Sequence, residues 1–336
     1  MSSILASAYL HRIDPYAIRF TEGFGIRWYG LSYAFGFLLM WLFVRWMART
    51  KRSSLTVPQA GDFVFAVIVG VLLGGRLGYV LFYDFSLLYT FSDSIPFWNL
   101  LAINKGGMAS HGGMIGFILA CVYFARRHDL RAMHLIDLGA YTAGIGLGVG
   151  RIANFVNAEL WGRRLPDTLQ ANPPWWSVKY PEEILLSTYP VERLAEVETA
   201  ARPIVGGDAT FLPAVVHELR AGNEALIEAV RPLLTAYYPS QIFQSITDGL
   251  ILVGLLTLIW LRPRKPGVIS GWFLITYGVL RVGTEFFREP DVGVALTFGL
   301  SRGQVLSVLM VVAGVIWVWV TARRNVDAMG GLLRTP

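Results

Sequence analysis

Seven apolar stretches, at residues 28–47, 61–83, 111–125, 134–155, 241–261, 269–287 and 304–321, restrict this chain to a membrane-spanning fold. A bilayer core about 30 Å thick takes roughly 20 mostly apolar residues per helix, and inside lipid the backbone must satisfy its own hydrogen bonds. Composition agrees with that reading. Of 336 residues 54% are hydrophobic and 15% charged, and the mean hydropathy is +0.50, outside the usual range of a soluble domain. The expected fold class is an all-α integral membrane protein of seven transmembrane helices with an external mixed soluble insert. The third stretch is short. It can reach back through Gly106 and Gly107 only as irregular backbone covered by protein or by a water-filled cavity.

Basic residues set the direction of insertion, because Lys and Arg close to a span stay cytoplasmic. Arg45, Arg49, Lys51 and Arg52 follow the first stretch, Arg126, Arg127 and Arg131 the third, Arg262, Arg264 and Lys265 the fifth, and Arg323 and Arg324 the seventh. Alternate connections are therefore basic, which puts the amino terminus outside and the carboxyl terminus inside. The net charge of +6 is spent on topology and on anionic headgroups. A nucleic-acid footprint would gather its cations on one face, so no nucleic-acid partner is expected.

The expected organisation is an external segment 1–27, transmembrane helices 1–4 over 28–163, an external insert 164–238, helices 5–7 over 239–322 and a cytoplasmic tail 323–336. The insert is acidic and proline-rich and reads as short elements and turns, with part of 211–234 able to form helix. Residues 1–27 carry His11, Arg12, Asp14 and Arg19 and lack the continuous apolar core of a cleavable signal, so the expected mature chain begins near Met1. Cys121 sits in an apolar run as the single cysteine, so no intrachain disulfide is available and the residue reads as inert packing. No repeat of fixed period is evident, which argues against an inverted-repeat transporter.

Four polar clusters lie in or against the apolar stretches. In the first, Gly70, Gly74 and Gly78 repeat every four residues, a pattern that lets helices approach closely. Arg76 lies among them, with Tyr79 and Tyr83 near the same helix face; either it binds a headgroup or it snorkels to the interface. In the second, glycines surround His111 in GGMASHGGMIG (106–116). That density frees backbone for close approach, and an imidazole with a pKa near 6.5 is a natural proton acceptor.

The third cluster is GRIANFVNAELWGR (150–163), where Arg151 and Asn154 are one turn apart and Glu159 can pair with a guanidinium. Charges at bilayer depth are costly and mark function by default. In the fourth, Tyr277, Arg281, Glu285 and Arg288 fall at i, i+4, i+8 and i+11, which predicts one helical stripe facing protein, water or an anionic substrate. The planar guanidinium fork suits a phosphate. Together the clusters offer arginines for a phosphate, a histidine as base and no nucleophile of the protein's own, so the substrate should bring one. The histidines and cysteine show no metal-ligand spacing, and neither a metal nor another cofactor is expected.

The ordered set GGRLGYVLFY (74–83), GGMASHGG (106–113), GRIANFVNAELWG (150–162), YPSQ (238–241) and YGVLRVGTEFFREPD (277–291) resembles the motifs of the phosphatidylglycerol–prolipoprotein diacylglyceryl transferase family, over about residues 27–324. The resemblance implies an enzyme of the bacterial inner membrane. Such an enzyme moves the diacylglyceryl group of phosphatidylglycerol to the lipobox cysteine of a prolipoprotein signal peptide, forming a thioether and releasing glycerol phosphate. It implies catalytic roles for His111, Arg151 and Arg281, and a substrate-binding set of Tyr29, Tyr79, Tyr83, Asn154, Glu159, Gly162, Tyr277 and Glu285, which Arg76 joins on its own position. Departures from the pattern are Ala109 and Ser110 before His111, Ala153 and Ala158 in place of the signature's glycines, and Phe243-Gln244 where an acidic residue usually follows YPSQ. A channel or transporter for an anionic substrate, and a lipid-binding scaffold without catalysis, are the competing readings.

Overall fold

A computed structural model describes residues 8–21, 24–93, 96–103, 106–206, 211–288 and 300–333. The last three residues of the 277–291 motif fall outside them. The chain opens with strands β1 (Tyr9–Leu10), β2 (Tyr16–Thr21) and β3 (Phe24–Arg27), followed by helices α1 (Trp28–Arg49), α2 (Val57–Phe82), α3 (Ser110–Arg127) and α4 (Ala132–Val156). After a short α5 (Asp167–Gln170) come β4 (Val178–Lys179), α6 (Val191–Val205), α7 (Phe211–Ala221), α8 (Glu224–Val230) and β5 (Ala236–Tyr237). The last part comprises α9 (Ser240–Gln244), a π-helical segment Ser245–Ile251, α10 (Leu252–Ile259), α11 (Val268–Thr284) and α12 (Arg302–Arg323).

The protein is predominantly helical, and five helical stretches among the described residues are long and apolar enough to cross a membrane: Trp28–Arg49, Val57–Phe82, Ala132–Val156, Ser240–Ile259 and Arg302–Arg323. At the expected third and sixth positions α3 and α11 form as well, shorter at 18 and 17 residues. On α12 the side chains of Val308, Leu309, Val312, Val315, Ile316 and Trp319 are exposed. An all-apolar outer surface of this kind suits hydrocarbon rather than water.

The chain divides into two compact units. One comprises Phe35–Ile145, Leu252–Thr276 and Met310–Pro336. Its α2 and α3 pack along glycines: a methyl group added at Gly70 would meet the carbonyl oxygen of Gly116 at 2.6 Å, and one at Gly78 would meet the Cα of Gly112 at 2.8 Å. The four-residue repeat of α2 is thus a contact surface, and Gly112 and Gly116 of the cluster around His111 are its partners. Asp137, buried in α4, accepts hydrogen bonds from the backbone N–H groups of Gly267 (2.7 Å) and Ser270 (2.8 Å). A carboxylate from another helix therefore caps the start of α11, where the first N–H groups lack intrahelical partners. Phe43 stacks on Tyr141 at 4.6 Å beside the buried Trp260.

The other unit comprises Met1–Ala34, Gly146–Ile251 and Tyr277–Leu309. Within it α6, α7 and α8 enclose an apolar core of Val197, Ala201, Val215, Val216, Leu219, Leu226 and Val230. Beside this core lies a three-stranded sheet of order β1-β4-β5, in which β1 runs parallel to β4 and β4 antiparallel to β5. The amino-terminal strand thus completes the sheet of the 164–238 segment. The helix expected somewhere in 211–234 breaks in two at Gly222, whose φ is +91°, and Asn223 caps the second piece by accepting from Leu226 N–H. The expected helix over 241–261 is interrupted by its π segment, which seats Gly249 against Gly148: a methyl group on Gly148 would lie 2.7 Å from the Gly249 Cα. Ser245 Oγ donates to the Gly148 carbonyl at 2.9 Å across the same contact.

Candidate functional site

In the unit built on Gly146–Ile251, α4 carries Arg151 and Asn154 on its last turns and ends at Val156. The chain then folds through a turn in which Ala158 (φ 53°) and Leu160 (φ 54°) adopt left-handed backbone. That conformation costs an L-residue with a Cβ on the order of 1 kcal/mol, so it needs support. Two motif side chains supply it. Gln241 Nε2 donates to the Glu159 carbonyl at 2.7 Å, and Ser240 Oγ to that of Leu160 at 3.2 Å. Trp161 Nε1 donates to the Ala158 carbonyl at 2.7 Å while its ring stacks on Tyr180 at 4.7 Å. The buried Ser and Gln of YPSQ are thus braces for the turn that presents Glu159.

The turn returns Glu159 toward α4. Its backbone N–H bonds Asn154 O at 2.9 Å, and its carboxylate accepts from Asn154 Nδ2 at 3.4 Å. Tyr29, whose hydroxyl lies 3.5 Å from that of Tyr33, feels the charges of Glu159 and Arg151. Gly162 forms an antiparallel bridge with Arg288, and a methyl group there would collide with the Tyr238 carbonyl, so the position has no room for a side chain. Arg163 fastens the same edge, with Nε donating to the Arg288 carbonyl at 2.8 Å.

Arg151 does not take Glu159 as its carboxylate. Its Nε lies 3.6 Å from Oδ2 of Asp248, a residue of the π segment whose side chain is 0% exposed. Sequence reading passed over Asp248, which sits in an apolar run; a lone acid at that depth carries the same signal as the arginines. It stands one helical turn beyond Gln244, where the family pattern has its acid. Tyr277 lies in the field of Arg151, Asp248 and Arg281, with Arg151 in side-chain contact.

Across the end of α11 Arg281 and Glu285, the first residue of the 3₁₀ turn that follows, keep their i, i+4 relation, with Nη2 3.0 Å from Oε2. The approach is close enough for an ion pair but lies off hydrogen-bond direction, so among the described residues Arg281 Nη1 and Glu285 Oε2 are buried without a hydrogen-bond partner. The other carboxylate oxygen is held: Ser301 Oγ donates to Oε1 at 3.2 Å. Ser301 is itself fixed in a capping box with Gln304 at the start of α12, through bonds of 3.0 and 3.1 Å. The expected single stripe breaks after Glu285. The α-helix stops at Thr284, a 3₁₀ turn follows, and Arg288 is in extended backbone (φ −100°, ψ 145°), drawn away by its bridge to Gly162.

The remaining site candidates belong to the other unit. His111 stands on the first turn of α3, exposed. Arg76 is buried and its guanidinium is occupied by backbone: Nε donates to Leu100 O (2.6 Å), Nη1 to the carbonyls of Gly106 (2.8 Å) and Gly107 (2.9 Å), and Nη2 to Asn99 O (2.5 Å). These bonds shape the irregular segment that leads into α3. Gly107 at φ +76° closes over Arg76 and the ring of Tyr79, and Tyr79 stacks on Tyr83 at 5.5 Å.

A helical, lipid-facing protein with two partly buried arginines, Arg151 and Arg281, each beside a buried carboxylate, is a membrane protein with charge set inside its helices. Comparison with known proteins identifies which kind. The family model described as prolipoprotein diacylglyceryl transferase matches residues 15–320, and the chain belongs to that family. It is 40% identical over 338 aligned residues, 94% of each chain, to the phosphatidylglycerol–prolipoprotein diacylglyceryl transferase of Bdellovibrio bacteriovorus. Proteins of the same name are 35% identical in Rhodospirillum centenum (96% of this chain, 95% of the relative) and 38% identical in Serratia proteamaculans (89% and 90%). Membership decides for the transferase and against the transporter and scaffold readings.

Proposed function

We propose that this protein transfers the diacylglyceryl group of phosphatidylglycerol to the lipobox cysteine of prolipoprotein signal peptides in the bacterial inner membrane. Family membership supports the reaction, and the observation that carries the site is the buried Arg281 Nη1, which has no acceptor among the described residues and shares the field of Asp248 with Arg151. Buried N–H donors are nearly always paired, and a phosphate oxygen suits a guanidinium. In this reading Arg151 and Arg281 hold the phosphodiester. The substrate thiolate attacks the glyceryl carbon, an S–C bond forms as the C–O bond to phosphate breaks, and glycerol phosphate leaves with the bond's electrons.

His111 takes the thiol proton in this scheme, because a free thiol with a pKa near 8.5 supplies little thiolate at neutral pH. Asn154 and Glu159, with Tyr29 and Tyr277, order the headgroup, Glu285 orients Arg281, and Gly162 keeps the wall of the turn flat. Arg76, Tyr79 and Tyr83 shape the approach to His111. The proposed topology is seven spans, α3 and α11 included, with the amino terminus and the 164–238 insert periplasmic and the carboxyl terminus cytoplasmic; the basic residues after α1, α3, α10 and α12 support it.

Incubating the detergent-purified protein with phosphatidylglycerol and a lipobox peptide tests the reaction. The expected product is a peptide heavier by one diacylglyceryl group, formed with release of glycerol phosphate and absent when the peptide cysteine is replaced by serine. Lipid flux into vesicles with no covalent product would refute the proposal.

A further inference from the structure

Asp248 is a buried acid outside the motifs that single out the other site residues. Among residues 240–259 it is the one acidic residue, its side chain is fully buried, and its two oxygens are poorly matched. Oδ1 lies 3.3 Å from Thr247 Oγ1, whose single proton is shared with the carbonyls of Phe243 (3.1 Å) and Gln244 (3.3 Å), while Oδ2 stands 3.6 Å from Arg151 Nε and has no hydrogen-bond partner among the described residues. Leaving a buried carboxylate short of partners is costly, more so at bilayer depth. The π segment that carries it is a second irregularity, of a kind that accumulates at functional sites.

Charge counting gives the reason. Arg151 and Arg281 bring two positive charges, and the buried carboxylates of Asp248 and Glu285 cancel them, while the exposed Glu159 adds a further negative charge at the edge. A phosphodiester monoanion gains net attraction only if one carboxylate gives up its arginine. Glu285 is fastened by Ser301 and crowded by Gly303, where a methyl group would lie 2.8 Å from Oε1. Asp248 has the longer, looser contact.

We propose that Asp248 is a displaceable counter-anion for Arg151: it holds the guanidinium when no lipid is bound, yields it to the substrate phosphate, and reclaims it as glycerol phosphate leaves. This makes it a positioning residue that sets product release, and it rests on the reading that Arg151 grips phosphate.

The test uses the full-length protein in detergent and measures inhibition by added glycerol phosphate together with kcat and the KM for phosphatidylglycerol. Asp248→Asn removes the competing charge and should bind glycerol phosphate at least about tenfold more tightly, with a lowered kcat and no rise in KM; Asp248→Glu should restore both toward wild type. Thr247→Val, which frees the carboxylate to close on Arg151, should weaken the inhibition a few-fold and serves if Asp248→Asn does not fold. A folded Asp248→Asn with unchanged or weaker inhibition, or Thr247→Val without effect, overturns the proposal. Arg151→Gln in the same assay separates the two levels. If it keeps wild-type inhibition, the phosphate reading falls and the proposal with it; if it loses inhibition while Asp248→Asn gains none, only the proposal falls.

Discussion

Arg281 and Glu285 form an ion pair at 3.0 Å, one turn apart across the end of α11, and Glu285 is held from its far side by Ser301. The turn that ends α11 therefore orients the arginine the helix supplies, and the cap of α12 locks it. Glu285→Gln should keep the fold and lower the transfer rate about tenfold or more, because a buried charged partner is replaced by a weaker neutral one. Ser301→Ala should lower it less. Steady-state transfer to a lipobox peptide checks both, and equal loss from the two variants would mean that the cap, not the charge, matters.

Arg76 predicts a different outcome. Its bonds to four carbonyls cannot be copied by lysine, whose ammonium is one point rather than a fork. Arg76→Lys should therefore loosen the backbone at 99–100 and 106–107, seen as faster amide exchange there and no change in α12, with the KM for phosphatidylglycerol little affected. A large rise in KM with unchanged exchange would instead make Arg76 a headgroup ligand.

Asp137 accepts two backbone N–H groups at the start of α11. Asp137→Ala removes both acceptors from a buried helix terminus and should destabilise the protein by roughly 1–3 kcal/mol, read as a lower melting temperature in detergent. Asp137→Asn, which keeps one acceptor oxygen, should recover part of the loss.

Glu183, in the 164–238 segment, gives a pH-dependent stability. Burial pushes its carboxyl up from the ordinary 4.5 to about 7, against the Thr235 N–H (2.5 Å) and Tyr237 hydroxyl (2.8 Å) that favour the anion. Between those two values the folded protein binds the proton and the unfolded chain does not, so stability falls as pH rises through that window, by about 1.4 kcal/mol per unit at most. Burial lowers His11 from 6.5 to about 4, which acts in the opposite direction over an overlapping range. Comparison with Glu183→Gln isolates the acid: the variant's melting temperature relative to wild type should rise from pH 5 to pH 8, and a flat difference would contradict the assignment.

Local signals in the sequence were sufficient where structure is local. The four-residue glycine repeat is the α2–α3 contact, the i, i+4 spacing of Arg281 and Glu285 is their ion pair, and the amphipathic 211–234 stretch is helical on both sides of Gly222. What spacing could not supply came from distant chain. Arg288 leaves the helical stripe because Gly162 pairs with it, Arg76 faces carbonyls 23 to 31 residues away, and the role of Ser240 and Gln241 depends on left-handed backbone at Ala158 and Leu160. Asp248 and Asp137 were legible in principle. Each is a lone acid in an apolar helix, the feature that drew attention to the arginines, but apolar counting over a long window averages a single charge away.

The central claim is that Arg151 and Arg281 grip the phosphate of a lipid donor while a visiting thiol displaces it. Its most direct measurement is the rate of diacylglyceryl transfer from phosphatidylglycerol to a lipobox peptide by Arg151→Gln and Arg281→Gln proteins whose helical content and melting temperature match wild type. Removal of one preorganised charged donor should lower that rate by on the order of a hundredfold or more. Rates near wild type in both folded variants would contradict the account.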